Sequence, residues 1–254
     1  MASDDRPIRR PPLGLLLLEG RALLELGASL AAYPFLKRAP RGDGHPVLVI
    51  PGFMASDLST RTLRRFLQDL DYRVHGWRLG RNEGPRPETV AAMVARLHDL
   101  HQRYGRNVSL VGWSLGGVYA RELARRFPSE VRQVITLASP FRDLEATNVP
   151  RFLRLPRGRH PREPEVSARL QQPLPVPMTA IFSRSDGIAA WQSCVAERGP
   201  LSESIEVASS HLGIGHHPVV LLTIADRLGQ PEGGWKPFRP PRGWPWPFVP
   251  RTGP

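Results

Sequence analysis

Residues 109–128, "SLVGWSLGGVYARELARRFP", set one serine among glycines at the point where a short apolar run gives way to a helical pattern. The run "VSLVGW" (108–113) is too apolar for a strand with one wet face, and "VYARELARRF" behind it has helical spacing. Between them Gly112-Trp113-Ser114-Leu115-Gly116 forms a GxSxG pattern on a predicted strand–turn–helix, the bend that projects a serine from a sheet edge. The glycines have a mechanical purpose: the serine in such a turn holds strained backbone angles, and side chains two positions either way would meet the neighbouring strand and helix. A lone serine hydroxyl is almost inert at neutral pH. Ser114 is therefore a nucleophile only if the chain supplies a base and an acid to orient it.

Working outward, the apolar runs "VLVI" (47–50), "YRVHGW" (72–77), "VITLA" (134–138), "MTAIF" (178–182) and "SIEVA" (204–208) read as further strands. Helical patterns alternate with them. Leu63, Phe66, Leu67 and Leu70 share one helical face; Val90, Met93, Val94, Leu97 and Tyr104 share another that Gly105 stops; Pro218 opens a last helix that Gly229 ends. Repeated βα units of this kind predict an α/β domain with a mostly parallel, doubly wound sheet of about six strands. Residues 139–177, rich in Arg and Pro, are far longer than an ordinary αβ connection and read as an insertion with the character of a lid. Its apolar residues Phe141, Leu144, Val149, Phe152 and Leu155 are candidates to meet a substrate chain.

In this architecture the acid and the base follow the serine in the chain, each beyond a strand end. "AIFSRSDG" offers Asp186 and "IEVASSHLGIG" offers His211 in those places. Asp143, after the preceding strand, is the rival acid. His216 and His217 are expected to cap or pack on the final helix, and His45, His75, His98, His101 and His160 to be surface or core residues. The oxyanion formed during acyl transfer needs two backbone N–H donors. One is Leu115, next to the nucleophile; the other is Phe53 in "VLVIPGFMASD", where Gly52 lets the backbone approach closely.

The ends of the chain read differently. Residues 1–12 are polar and predicted to be disordered, and 230–254 carry too much proline for helix or sheet and are expected to clasp the domain or form a contact strip. Residues 13–36, "LGLLLLEGRALLELGASLAAYPFL", form an apolar helix with a narrow polar stripe of Arg21, Glu25 and Ser29. Its charge-free runs are too short to span a bilayer, and no signal-peptide cleavage pattern follows, so the expected location is cytoplasmic. Two readings stay open for this segment: a helix packed on the domain or over a pocket, and a peripheral membrane contact.

Composition narrows the classes. The 254 residues, 41 % hydrophobic and 23 % charged, suit one globular domain. The net charge of +12 raises nucleic acid as a partner, but only Lys37 and Lys236 are lysines and the arginines are spread along the chain without any nucleic-acid-binding motif. No nucleic-acid partner is expected. Cys194 is the sole cysteine, which excludes an internal disulfide, and the histidines show no metal-ligand spacing. Neither metal nor cofactor is expected.

"HPVLVIPGFMAS", "LVGWSLGG", "ITLASPF", "SRSDG" and "SSHLGIGHHP", in this order, resemble bacterial lipases and esterases of the α/β-hydrolase superfamily across about residues 45–229. The resemblance implies a reduced α/β-hydrolase fold preceded by the 13–36 helix. It implies Ser114 as nucleophile, Asp186 as acid, His211 as base, and Phe53 and Leu115 as oxyanion donors. Pro51-Gly52 departs from the His-Gly of many lipases. The implied activity is cofactor-free hydrolysis of a carboxylic ester or lipid-like substrate. An acyltransferase or thioesterase on the same three residues, and a catalytically silent basic protein that binds lipid or a partner, are the alternatives.

Overall fold

A computed structural model describes residues 8–148, 164–197 and 199–239. Val149, Phe152, Leu155 and His160 of the insertion, the first seven residues and the segment 240–254 lie outside the described residues. Six parallel strands form one open sheet: β1 (Pro46–Ile50), β2 (Arg73–Gly76), β3 (Val108–Trp113), β4 (Val131–Leu137), β5 (Met178–Phe182) and β6 (Ser202–Glu206). Their spatial order is β2-β1-β3-β4-β5-β6. The chain thus runs from β1 to one side and then returns to β1's other side with β3, paired from Val47↔Ser109 to Ile50↔Gly112. Such a reversal leaves a crevice at the carboxyl ends of β1 and β3, where ligands bind in open α/β sheets.

Strand alternation divides the core into two layers. Val47 and Val49 of β1, with Val111, Ile135 and Ile181, pack against α3 (Arg61–Asp69) and α7 (Pro218–Leu228). Leu48 and Ile50, with Leu110, Val134 and Ala180, face α4 (Pro87–Tyr104) and α5 (Leu115–Arg126). Because both faces are covered, β1, β3 and β4 are buried along their whole length, the physical reason for their unbroken apolar runs. Local signals end the helices where expected: Pro87 and Pro218 stand in first turns, and Gly105 takes a left-handed φ of 58° to close α4. The last strand begins two residues earlier than its apolar run and ends at Glu206, so Val207 lies in the loop that leads to His211.

The amino-terminal segment is broken into α1 (Leu13–Leu17), a 3₁₀ turn (Leu18–Arg21) and α2 (Ala22–Leu36). Its polar residues face inward. Glu19, Glu25 and Ser29 are buried, while Leu13, Leu17, Leu23, Leu24 and Leu30 are exposed. Of the insertion, α6 (Pro164–Gln171) is described. Phe141 proves to be a core residue under the guanidinium of Arg121, 4.1 Å from its ring centre, so of the expected chain contacts in the described part only Leu144 reaches the pocket. The start of the tail clasps the domain: Phe238 is buried and its N–H donates to Glu203 at 2.6 Å.

Candidate active site

Ser114 sits between β3 and α5 with φ 53° and ψ −121°, a conformation ordinary side chains avoid. The bend is held by the Ser114 N–H donating to Leu137 on β4 at 2.8 Å and by the Gly117 N–H donating back to the Ser114 carbonyl at 3.0 Å. Its tightness explains the motif: a Cβ on Gly112 would overlap the backbone of Gly116, and one on Gly116 would overlap the carbonyl of Ile50. Any larger residue would push β3, α5 and β1 apart.

Two loops bring the acid and the histidine to the same rim. Asp186 follows β5 and is buried; its Oδ1 accepts the N–H groups of Ile188 (2.7 Å) and Ala189 (2.8 Å). Its Oδ2 accepts from Nδ1 of His211 at 2.7 Å. Because an ionised carboxylate only accepts, Nδ1 carries the proton and Nε2 is left as the basic nitrogen of the neutral ring. Burial works against charging His211, but the Asp186 charge and hydrogen bond, with Glu19 adding to them, outweigh it and raise the pKa above the usual imidazole value. The Trp113 indole N–H donates to the His211 carbonyl at 3.1 Å, tying the loop to β3.

Ser114, His211, Leu115 and Phe53 line one pocket of about 240 Å³. Among the described residues no hydrogen bond joins the Ser114 hydroxyl to the His211 ring; the two share the wall of the cavity. Trp113, Leu144, Ile188 and Leu212 give it a mostly apolar lining. The Leu115 N–H belongs to the first turn of α5, whose donors have no acceptor within the helix. The rival acid Asp143 takes no part: its carboxylate accepts the Glu145 N–H at 2.8 Å within its own loop. His216 bonds the Ala22 carbonyl and His217 stands at the N-cap position of α7 without a side-chain capping bond, while His75, His98 and His101 pair with Tyr104, Glu130 and the Arg106 carbonyl away from the pocket. His45 is wholly buried.

The supporting roles of Asn82 and Glu19 were missed in the sequence, and Glu25 and Arg21 were read only as part of a polar stripe. Asn82, fully buried, donates to the Pro51 carbonyl at 2.9 Å and accepts the Met54 N–H at its own carbonyl, pinning both sides of Phe53. Glu19 accepts the N–H groups of Gly187 (2.8 Å), His211 (3.0 Å) and Leu212 (2.9 Å), so one carboxylate ties the acid loop to the histidine loop. Glu25 accepts from the Ser210 N–H at 2.8 Å and from the Ser209 and Ser210 hydroxyls, and Arg21 bridges Glu25 to Ser185. The polar stripe of Arg21, Glu25 and Ser29 was the visible signal on this segment; its inward orientation comes from the loop N–H groups and hydroxyls opposite it.

A six-stranded parallel sheet carrying a serine on a strained strand-to-helix bend, with an aspartate and a histidine beyond later strands, defines an α/β-hydrolase fold. The match of residues 47–251 to the model of the alpha/beta hydrolase family agrees, and the chain belongs to that family. Solved structures extend the likeness. A structure of the metagenome-derived lipolytic enzymes LipS and LipT is 17 % identical with a TM-score of 0.55, covering 74 % of this chain and 95 % of that one. Aspergillus fumigatus lipase B is 15 % identical with a TM-score of 0.55, covering 75 % of this chain and 53 % of that one. The thioesterase domain from the curacin biosynthetic pathway is 14 % identical with a TM-score of 0.50, covering 72 % and 91 %. Identities this low establish the fold. No curated protein sequence matches the chain.

Proposed function

We propose that this protein hydrolyses carboxylic esters with an apolar acyl group, through an acyl-enzyme on Ser114. The observation that carries the reading is the buried His211–Asp186 pair, 2.7 Å apart, lining the same pocket as a serine held at φ 53°. In this mechanism Nε2 of His211 takes the Ser114 proton as Oγ attacks the ester carbonyl, and Asp186 fixes the tautomer and offsets the imidazolium charge. The Phe53 and Leu115 N–H groups meet the oxyanion. The imidazolium then gives its proton to the leaving alcohol, and a water activated by the same ring releases the acid. Glu19 is a positioning residue, acting through the backbone of both loops. The apolar lining favours an acyl chain over a polar acid.

A fluorophosphonate probe tests the nucleophile. It labels Ser114 in the wild type, and Ser114→Ala loses both labelling and p-nitrophenyl ester turnover by several orders of magnitude. Unchanged turnover in Ser114→Ala would overturn the reading.

A further inference from the structure

The segment 13–36 is an amphipathic element mounted with its polar side on the protein. Of the twelve large apolar side chains exposed among the described residues, eight lie in it, with Leu17 at 85 % and Leu23 and Leu24 at 77 % and 76 %. Three of the other four, Met54, Leu58 and Leu212, lie in or beside the loops that form the pocket, which Leu212 lines. The Leu212 N–H is itself bonded to Glu19, so the apolar face runs on to the pocket mouth. A soluble protein rarely leaves an apolar surface of this extent in water unless something covers it.

Charge selects the occupant. Both carboxylates of the segment, Glu19 and Glu25, are turned inward and bonded to the catalytic loops, so the outward face carries no acidic group. Exposed cations flank it at either end, Arg9 and Arg10 before it and Arg38 after it, with Lys37 and Arg41 also exposed but facing Asp69 and Asp71, on a chain of net charge +12. Leucines between clusters of Arg and Lys suit the boundary of an anionic bilayer, where the leucines enter the acyl region and the cations meet headgroup phosphates. A second copy would instead bring the exposed flanking arginines, of like charge, toward one another. No described helix is long and apolar enough to cross a membrane, so the contact lies along the surface.

We propose that the outward face of residues 13–36 seats this protein on an anionic lipid surface, with the pocket mouth at the edge of the contact. The seat goes beyond the hydrolase reading and does not need it, because Ser114→Ala protein would dock equally well.

Sedimentation with phosphatidylcholine vesicles, with and without phosphatidylglycerol, tests it on the full chain and on Ser114→Ala. Both are expected to bind the phosphatidylglycerol vesicles, about tenfold or more tightly than the neutral ones. The variant Leu17→Ser/Leu23→Ser/Leu24→Ser is expected to lose binding by about tenfold or more while keeping its circular dichroism spectrum and thermal midpoint. Wild-type protein that stays in the supernatant, or a triple variant that binds as well as wild type, overturns the proposal. So does a dimer that the triple substitution dissociates without any lipid binding, which assigns the face to a second copy. Lipid binding that appears only after removal of residues 240–254 assigns it to the tail, and also overturns the proposal.

Discussion

A serine stands near each end of strand β3, Ser109 within it and Ser114 just beyond it, and each has a histidine–aspartate pair in its neighbourhood. At the amino end the Ser109 hydroxyl lies 2.8 Å from Nε2 of His45, whose Nδ1 is 2.5 Å from Asp43. At the carboxyl end only the His211–Asp186 bond is closed. By contact alone the amino-end set is the more complete, yet its surroundings give it a different character. Ser109 and His45 are wholly buried, Ser109 lies within a regular strand, and neither lines the pocket. Burial, with the Arg132 and Arg106 cations adding to it against Asp43, pushes His45 down to about 4, whereas His211 is raised. An imidazole that resists a proton is a poor base and a good buried hydrogen-bond acceptor. The comparison teaches that two sets, each with a bonded histidine–aspartate pair, differ in strain at the serine, access to a cavity and the sign of the histidine shift, and it is on those differences that the proposed reactivity of the carboxyl-end set rests.

The largest expected effect separates the two ends directly. His211→Ala is expected to lower ester turnover about 10³- to 10⁴-fold, and Ser109→Ala to leave it within about twofold. Steady-state kinetics with a p-nitrophenyl ester measures both, and turnover that survives loss of His211 would break the contrast. A smaller effect is expected at Glu19, whose charge adds to that of Asp186 beside the histidine. Glu19→Gln should cost about 10- to 100-fold in kcat by loosening both loops. It should also move the acid limb of the pH profile. Losing a negative charge disfavours the imidazolium, so the His211 pKa drops and activity persists to lower pH than in the wild type. A loss of kcat with an unmoved limb would reduce Glu19 to scaffolding.

Legibility followed the same division. The strands of the sheet, the bend at Ser114 and the loops carrying Asp186 and His211 could be read because each rests on local signals: apolar runs buried on both faces, and glycines where β3 meets α5. What escaped depends on distant partners. Glu19 and Gly187, or His45 and Ser109, lie far apart in the chain, and nothing near any of them announces the bond. Asn82 escaped for the same reason, as its partners Pro51 and Met54 belong to another βα unit. The stripe on residues 13–36 was visible, but which face turns inward was not: periodicity fixes the faces of a helix, and burial is settled by what lies opposite, here the backbone N–H groups of two loops that Glu19 satisfies.

The smallest effect concerns the amino-end set alone. Asp43 can only accept, so Nδ1 of neutral His45 donates to it and Nε2 accepts from Ser109. Ser109→Ala leaves that nitrogen buried and unpaired, at a cost of about 1 kcal/mol in urea unfolding near pH 8. The pH dependence has a definite sign. His45 is neutral in both states at pH 8; as pH falls through 6.5 the unfolded imidazole takes a proton that the folded one refuses until about pH 4, so stability drops across that window. Asp43 acts in the same direction at lower pH: burial opposes its charge, but the Arg132 and His45 bonds outweigh burial and hold it below the usual carboxylate range, stability that is lost as acid protonates it. His211, raised instead, contributes oppositely, favouring the fold below 6.5 and losing that contribution as pH rises through its folded pKa. Replacing His45 by Asn should therefore flatten the decline in stability between pH 6.5 and about 4, and an undiminished slope in that variant would show that the amino-end histidine is not what the acid attacks.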